Sequence, residues 1–299
     1  MQLSTSVFAN PPLPVSILLA LTLLAPGAGC ARKTERVPVP SDPRRVVALA
    51  PNVAETVFAL GLGDRLVGDT TDCDYPAAAR ALPKVGDFGA LNYEAVAALQ
   101  PDLVLLHRQE IDVQSRLNAL GVPWLAIDSF SVEDVLRTIR RIGEACGATN
   151  RAEALERRLR ERVEAIRAHP PDVRPRVLLT FGEGGDGEPV MAFGPACLHG
   201  ELLELAGGRN VVEGRRAFAT LSPEAVLRLD PEIVVHLVPG RPPGVPERDW
   251  AKIGSFSAVR ADRIHVVTND WACIPGPRFV RILEIFRRCV RTPEPEAKR

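Results

Sequence analysis

Residues 93–107 read YEAVAALQPDLVLLH, and residues 223–237 read PEAVLRLDPEIVVHL. At a constant offset of 130 positions, Glu94 matches Glu224, Ala95 Ala225, Val96 Val226, Leu99 Leu229, Pro101 Pro231 and Val104 Val234. In each copy the Ala, Val and Leu positions fall on one helical face, and the apolar run that follows reads as a buried strand. Proline after Gln100 or Asp230 stops the helix, because it lacks a backbone donor and restricts the residue before it. An offset of this size is too long for a solenoid unit. It predicts two similar α/β lobes with a cleft between them; a chance match of two ordinary αβ units is the alternative.

The chain has 299 residues, enough for two lobes with a sizeable core. Its 37 basic and 37 acidic side chains cancel, so no bulk field favours nucleic acid or an anionic membrane. Residues 1–31 carry no charged side chain, and Val15 to Ala25 (VSILLALTLLA) is too short to span a bilayer. That segment suits the apolar region of an export signal. Gly27, Ala28 and Gly29 then lead to Cys30, and the arrangement resembles a bacterial lipoprotein signal in which Cys30 would be acylated. Residues 31–43 are polar and proline-rich, a natural tether. The expected organisation is a signal over 1–30, the tether, a first lobe over 44–149, a bridging helix over 150–169, a second lobe over 170–291 and a frayed tail over 292–299. Export permits a disulfide among Cys73, Cys146, Cys197, Cys273 and Cys289, and the odd count leaves one thiol over. No C-x-x-C spacing occurs.

Residues 44–50 (RRVVALA) predict a strand, with Asn52 placed to cap the helix that follows. Further strands are expected at Leu66-Val67-Gly68, 123–128 and 263–267, and a helix near 110–120. Ser131 and Asp134 open another helix in the manner of a capping box. A helix from Arg151 to His169, rich in Arg and Glu, would run roughly 28 Å. Its place between the two copies favours a strut over a solvated arm. RVLLTF (176–181) opens the second lobe, and HGELLELAGG ends a helix on Gly207-Gly208.

Catalytic signatures are sparse. There is no G-x-S-x-G or H-E-x-x-H, and GEGGDGEP (182–189) lacks the G-K-[ST] of a P-loop. Its glycines read as a loop beside the cleft.

Taken together, RRVVALAPNVAETVFALGLGDRLVG (44–68), CDYP (73–76), KVGDFGALNYEAVAALQPDLVLLH (84–107) and TNDWACIPGPRFVRILE (268–284) resemble the substrate-binding proteins of bacterial ABC importers for cobalamin, haem and ferric siderophores, the cobalamin branch most closely. The resemblance covers about residues 44–291. It implies two Rossmann-like lobes bridged by one long α-helix, a ligand between them, no enzymatic activity, no resident cofactor or metal, and a permease and its ATPase as partners. It also implies that Glu94 and Glu224 engage arginines of the permease; each is in addition an acid suited to a helix start. The positions it places against ligand are Asp72, Phe88, His107, Phe218, Asp270 and Trp271. Cobalamin binders of the family use several Trp and Tyr side chains there, so this pocket is expected to be less aromatic and more polar.

His107 and Asp72, with His199 or Cys273, form a candidate metal or haem-axial set; a hydrogen-bonding role for His107 is the plainer expectation. His236 and His265 are expected to be satisfied core histidines, Trp250 a packing anchor, and Arg278 a brace for the Pro275-Gly276-Pro277 loop through backbone carbonyls. The leading function is capture of a corrinoid for an importer. Haem or a ferric siderophore is the second ligand class, a scavenger or sensor without a permease another binding reading, and an exported metal-dependent hydrolase the alternative of a different kind.

Overall fold

The computed structural model describes residues 37–87, 89–182, 187–240 and 249–291. Expectations at Cys30, at Phe88, for the signal and the tail, and for most of the glycine-rich loop therefore lie outside the described residues.

In chain order the elements are β1 (Val46–Ala48), α1 (Pro51–Ala59), β2 (Leu66–Asp69), β3 (Gly86–Asp87), β4 (Ala90–Leu91), α2 (Tyr93–Ala98), β5 (Leu103–His107), α3 (Ile111–Ala119), β6 (Trp124–Ile127), α4 (Val132–Ala145) and α5 (Thr149–Arg167). The second half continues with β7 (Arg176–Phe181), β8 (Val190–Phe193), α6 (Leu198–Ala206), β9 (Arg209–Asn210), β10 (Phe218–Leu221), α7 (Pro223–Leu229), β11 (Ile233–Leu237), α8 (Ser257–Arg260), β12 (Ile264–Val267) and α9 (Phe279–Val290).

The first lobe holds a parallel sheet of order β2-β1-β5-β6. The second holds β10-β8-β7-β11-β12, with β9 beside β7. Here β7, β11 and β12 run parallel, whereas β8 and β10 are antiparallel. The difference follows from connection length. Helix α1 returns the chain for a parallel β2, but only the residues between Phe181 and Val190 separate β7 from β8, too few for a parallel crossover. The strand β8 has no clear sequence signal, because Pro189 and Gly194 frame it as loop.

Both repeat copies fold as their sequence predicts, helix then buried strand. Asn92 and Ser222 cap them, accepting from the amides of Ala95 at 3.0 Å and Ala225 at 3.3 Å. Both helices end in a non-glycine residue with left-handed backbone, Gln100 (φ 46°) and Asp230 (φ 40°), directly before the proline. The freed helix carbonyls are taken by Arg45, which reaches Leu99 O at 2.7 Å, and by Arg176, which reaches Leu229 O. Asp102 and Glu232 accept from the backbone amides of those same arginines, at 2.8 and 2.6 Å.

The Asn52 expectation is corrected. Pro51 occupies the first helical turn after Ala50, so Asn52 lies inside α1 with its side chain free for the lobe junction. Ser131 does cap α4, accepting from Asp134 N at 3.0 Å.

Helix α5 spans 19 residues and packs on α4 of the first lobe and on α6 and α9 of the second. Leu155, Leu159 and Val163 form its buried stripe, each contributing about 2 kcal/mol. They join one continuous apolar cluster that runs from Val46 and Leu105 to Val177 and Val235. At the α4–α5 crossing a Cβ on Gly143 would sit 2.4 Å from Ala152 Cβ, so only glycine permits that approach. The five cysteines among the described residues are all free thiols, four of them buried, so the disulfide that export would permit is not formed among them.

Candidate functional site

His107 and Phe181, at the carboxyl ends of the parallel strands β5 and β7, meet in one cavity lining, the end of open α/β sheets at which ligands bind. The cavity measures about 420 Å³. Its first-lobe wall carries His107 from the end of β5, Gln109, Glu110, Ser129 and Phe130. Its second-lobe wall is a cluster of rings. Phe181 and Phe193 have centroids 4.3 Å apart, Phe218 lies 5.8 Å from each, and His199 stacks behind Phe193 at 4.3 Å.

The wall is therefore more aromatic than the expected positions implied. Phe130, Phe181 and Phe193 were missed, although Phe181 ends an apolar parallel strand and Phe193 sits two residues before a proline. Phe218 and Phe130 are the exposed members, while Phe193 is buried.

His107 is half-buried, and its Nε2 lies 3.1 Å from Asn52 Oδ1. Asn52 Nδ2 in turn donates across the lobe junction to Pro275 O, at a long 3.5 Å. With the Asn52 amide donating there, its oxygen accepts from His107 Nε2–H, leaving Nδ1 as the acceptor of the ring. Burial lowers the imidazole's pKa, so the ring is neutral at pH 7. Glu110 accepts the His107 amide at 2.7 Å, and burial raises its own pKa.

His199 is spent on structure. Its Nε2–H donates to Ala272 O at 2.9 Å, and burial brings its pKa down to about 4. Cys273 lines the cavity with its thiol pushed up to about 12 by burial. Among the described residues no three His, Cys, Asp or Glu side chains converge to hold a metal, so the His107–Asp72 set is not assembled there.

The expected ligand positions divide. His107 and Phe218 share the cavity. Asp72 and Asp270 are exposed and Trp271 is half-buried, all three outside its lining, and Phe88 is outside the described residues. Glu94 and Glu224 are both exposed in the first turns of α2 and α7. A hydrogen bond with Ser222 lowers the Glu224 pKa.

Arg278 braces the loop, but through a carboxylate and not through backbone carbonyls. Its Nε donates to Glu55 Oε2 at 2.9 Å, a second fork contact reaches Oε1, and the guanidinium stacks 3.9 Å from the Tyr75 ring centre. Glu55 is buried, which raises its pKa against the opposing Arg278 charge. The reason is geometric: α1 turns Glu55 toward the start of α9, so a full charge is nearer than any carbonyl. A glutamate among Val53, Ala54 and Val57 on an apolar helix was the sequence signal for it. His236 is the satisfied core histidine expected, with Nδ1 2.8 Å from Thr180 Oγ1, and Trp250 is buried against it. His265, on the edge strand β12, is only partly buried.

Residues 46–243 match the periplasmic binding protein family. The chain is 29% identical over 255 residues to the uncharacterized ABC transporter substrate-binding lipoprotein YvrC of Bacillus subtilis, covering 83% of this chain and 80% of that protein. It is 28% identical over 232 residues to a vitamin B12-binding protein of Yersinia pseudotuberculosis, covering 75% and 76%. Among solved structures, a periplasmic haem-binding protein of Pseudomonas aeruginosa superposes with a TM-score of 0.67 at 26% identity, covering 83% and 92%. These relatives bind substrates and are not enzymes, which removes the hydrolase reading. The chain belongs to the periplasmic binding protein family and is a solute-binding component of an ABC importer.

Proposed function

We propose that the cleft captures a corrinoid such as cobalamin and presents it to a membrane permease. The observation that carries this reading is the ring wall of Phe181, Phe193 and Phe218 facing the neutral His107 imidazole. A flat, largely apolar macrocycle can lie against such rings while a few polar groups orient its edge. The exposed Asp72 and Asp270, with Trp271, would meet the ligand's periphery. Similarity to a vitamin B12-binding protein supports the same choice.

Haem or a ferric siderophore is the second reading, favoured by the neutral His107 ring in the cavity lining and by the haem-binding structural relative. Glu94 and Glu224 would present two separated negative points to arginines of the permease. Cys30 would carry a lipid anchor after export, a reading supported by the relative described as a lipoprotein.

Titration of the full-length protein in detergent with cyanocobalamin, haem and a ferric siderophore panel tests the ligand, followed by calorimetry and corrected tryptophan fluorescence. Saturable one-to-one corrinoid binding, weakened about tenfold or more by Phe218→Ala, is the expected result. Haem or siderophore binding with no corrinoid binding overturns the leading reading.

A further inference from the structure

Helix α5 shows two unlike charged faces. On one, Glu153, Glu156, Glu161 and Glu164 alternate with Arg157 and Arg160. The other overlooks a second cavity of about 390 Å³ between α1, α5, the Tyr75 loop and the start of α9. This cavity shares no lining residue with the cleft and lies behind the Glu55–Arg278 pair. Arg158, Arg162, Arg278 and Arg281 line it, with Glu55 as the one carboxylate.

Two of these arginines are already committed, Arg278 to Glu55 and Arg162 to Glu284. Arg158 and Arg281 form no direct ion pair among the described residues; Arg281 feels the Glu55 carboxylate, which Arg278 already holds, and lies 6.0 Å from the Trp271 ring centre. Both are exposed at the rim. The arrangement is unfavourable when empty. Arg158 and Arg162 are like charges four apart on one helix face. Arg281 lies in the first turn of α9, which holds no acid, where the helix dipole opposes a cation. An anion reverses the sign of each of these interactions, and guanidinium forks match phosphate and carboxylate oxygens.

We propose that this cavity binds a small polyanion of the phosphate or polycarboxylate class. The site does not depend on which solute fills the cleft. An occupant would tie α5 to α9 and so stiffen the junction of the lobes.

Calorimetry and thermal melts of the full-length protein in detergent, with pyrophosphate and with citrate as probes and sodium chloride as control, test it. Saturable one-to-one binding is expected, weakening with added salt and raising the melting midpoint. The double variant Arg158→Gln/Arg281→Gln should bind the probe about tenfold or more weakly while retaining affinity for the cleft ligand. Arg158→Lys, which keeps the charge but loses the fork, should fall between. Binding of either probe alone supports the site and narrows its class. Absence of saturable heat and of any midpoint shift with both probes overturns it, as does binding that survives the double substitution.

Discussion

The two lobes are alike in their repeated helix–strand units and unlike where they line the cleft. Within those units the correspondence extends to single hydrogen bonds: Asn92 and Ser222 as caps, Arg45 and Arg176 on helix carbonyls, Asp102 and Glu232 on the backbone amides of those arginines. Exposure follows too, with Glu94 and Glu224 both exposed and Val96 and Val226 both fully buried. At the cleft the first lobe offers His107, Gln109 and Glu110 with the single ring of Phe130, whereas the second offers a cluster of three phenylalanines. A duplicated frame thus carries one surface kept in two copies and another allowed to diverge. The retained surface suits a partner with two equivalent halves; the divergent one suits a ligand with unlike faces.

The sharpest way to break this comparison is to reverse the paired acids. Glu94→Arg combined with Glu224→Arg should abolish uptake in cells and leave solute affinity unchanged. Equal losses from the single variants would indicate a symmetric partner. Normal uptake by the double variant would remove the docking role.

A second test uses two buried groups with opposite pH dependence. In the first lobe, burial raises Asp69 to about 6 from an ordinary 3.8, against its 2.7 Å pair with Lys84. Between pH 4 and 6 the folded chain therefore keeps a proton that the unfolded chain has released, and stability falls as pH rises. In the second lobe, His199 at about 4 refuses a proton that the unfolded chain takes up below 6.5, and stability falls as pH falls. Each effect is about 3 kcal/mol across its window. Relative to the wild type, Asp69→Asn should gain stability from pH 4 to 6, and His199→Gln should gain it from pH 6.5 to 4. Urea unfolding across that range reads both, and pH profiles parallel to the wild type would contradict the assignment.

The smallest test compares the caps. Asn92→Ala and Ser222→Ala should each cost about 1 kcal/mol in denaturant unfolding. Asn92 should cost more, since its bond is shorter and α7 already has Pro223 at its first turn. A larger loss at Ser222 would show that the copies are not energetically equivalent.

The frame was legible in the sequence because its signals are local. Helix spacing, the proline breaks and the apolar strands of both copies, the long helix α5 and the Ser131 cap can all be read within short windows. The site was legible only in part. His107 and Phe218 come with motifs, but Phe193 lies on a strand whose existence depends on pairing with β7 and β10. Arg278 and Glu55 are 223 positions apart, and nothing near either one names the other. Asn52 shows the same limit: its residue type fits a cap, and only the position of Pro51 and the opposite lobe give it other work.

One apolar cluster runs from the first sheet to the second through α5. A jaw that swung wide would have to open that cluster to water, so the empty and filled molecules should keep nearly the same silhouette. A transporter that must avoid wasting ATP on vacant carriers would then have to sense the cargo itself, or the loops resting on it, because the carrier's outline gives no signal.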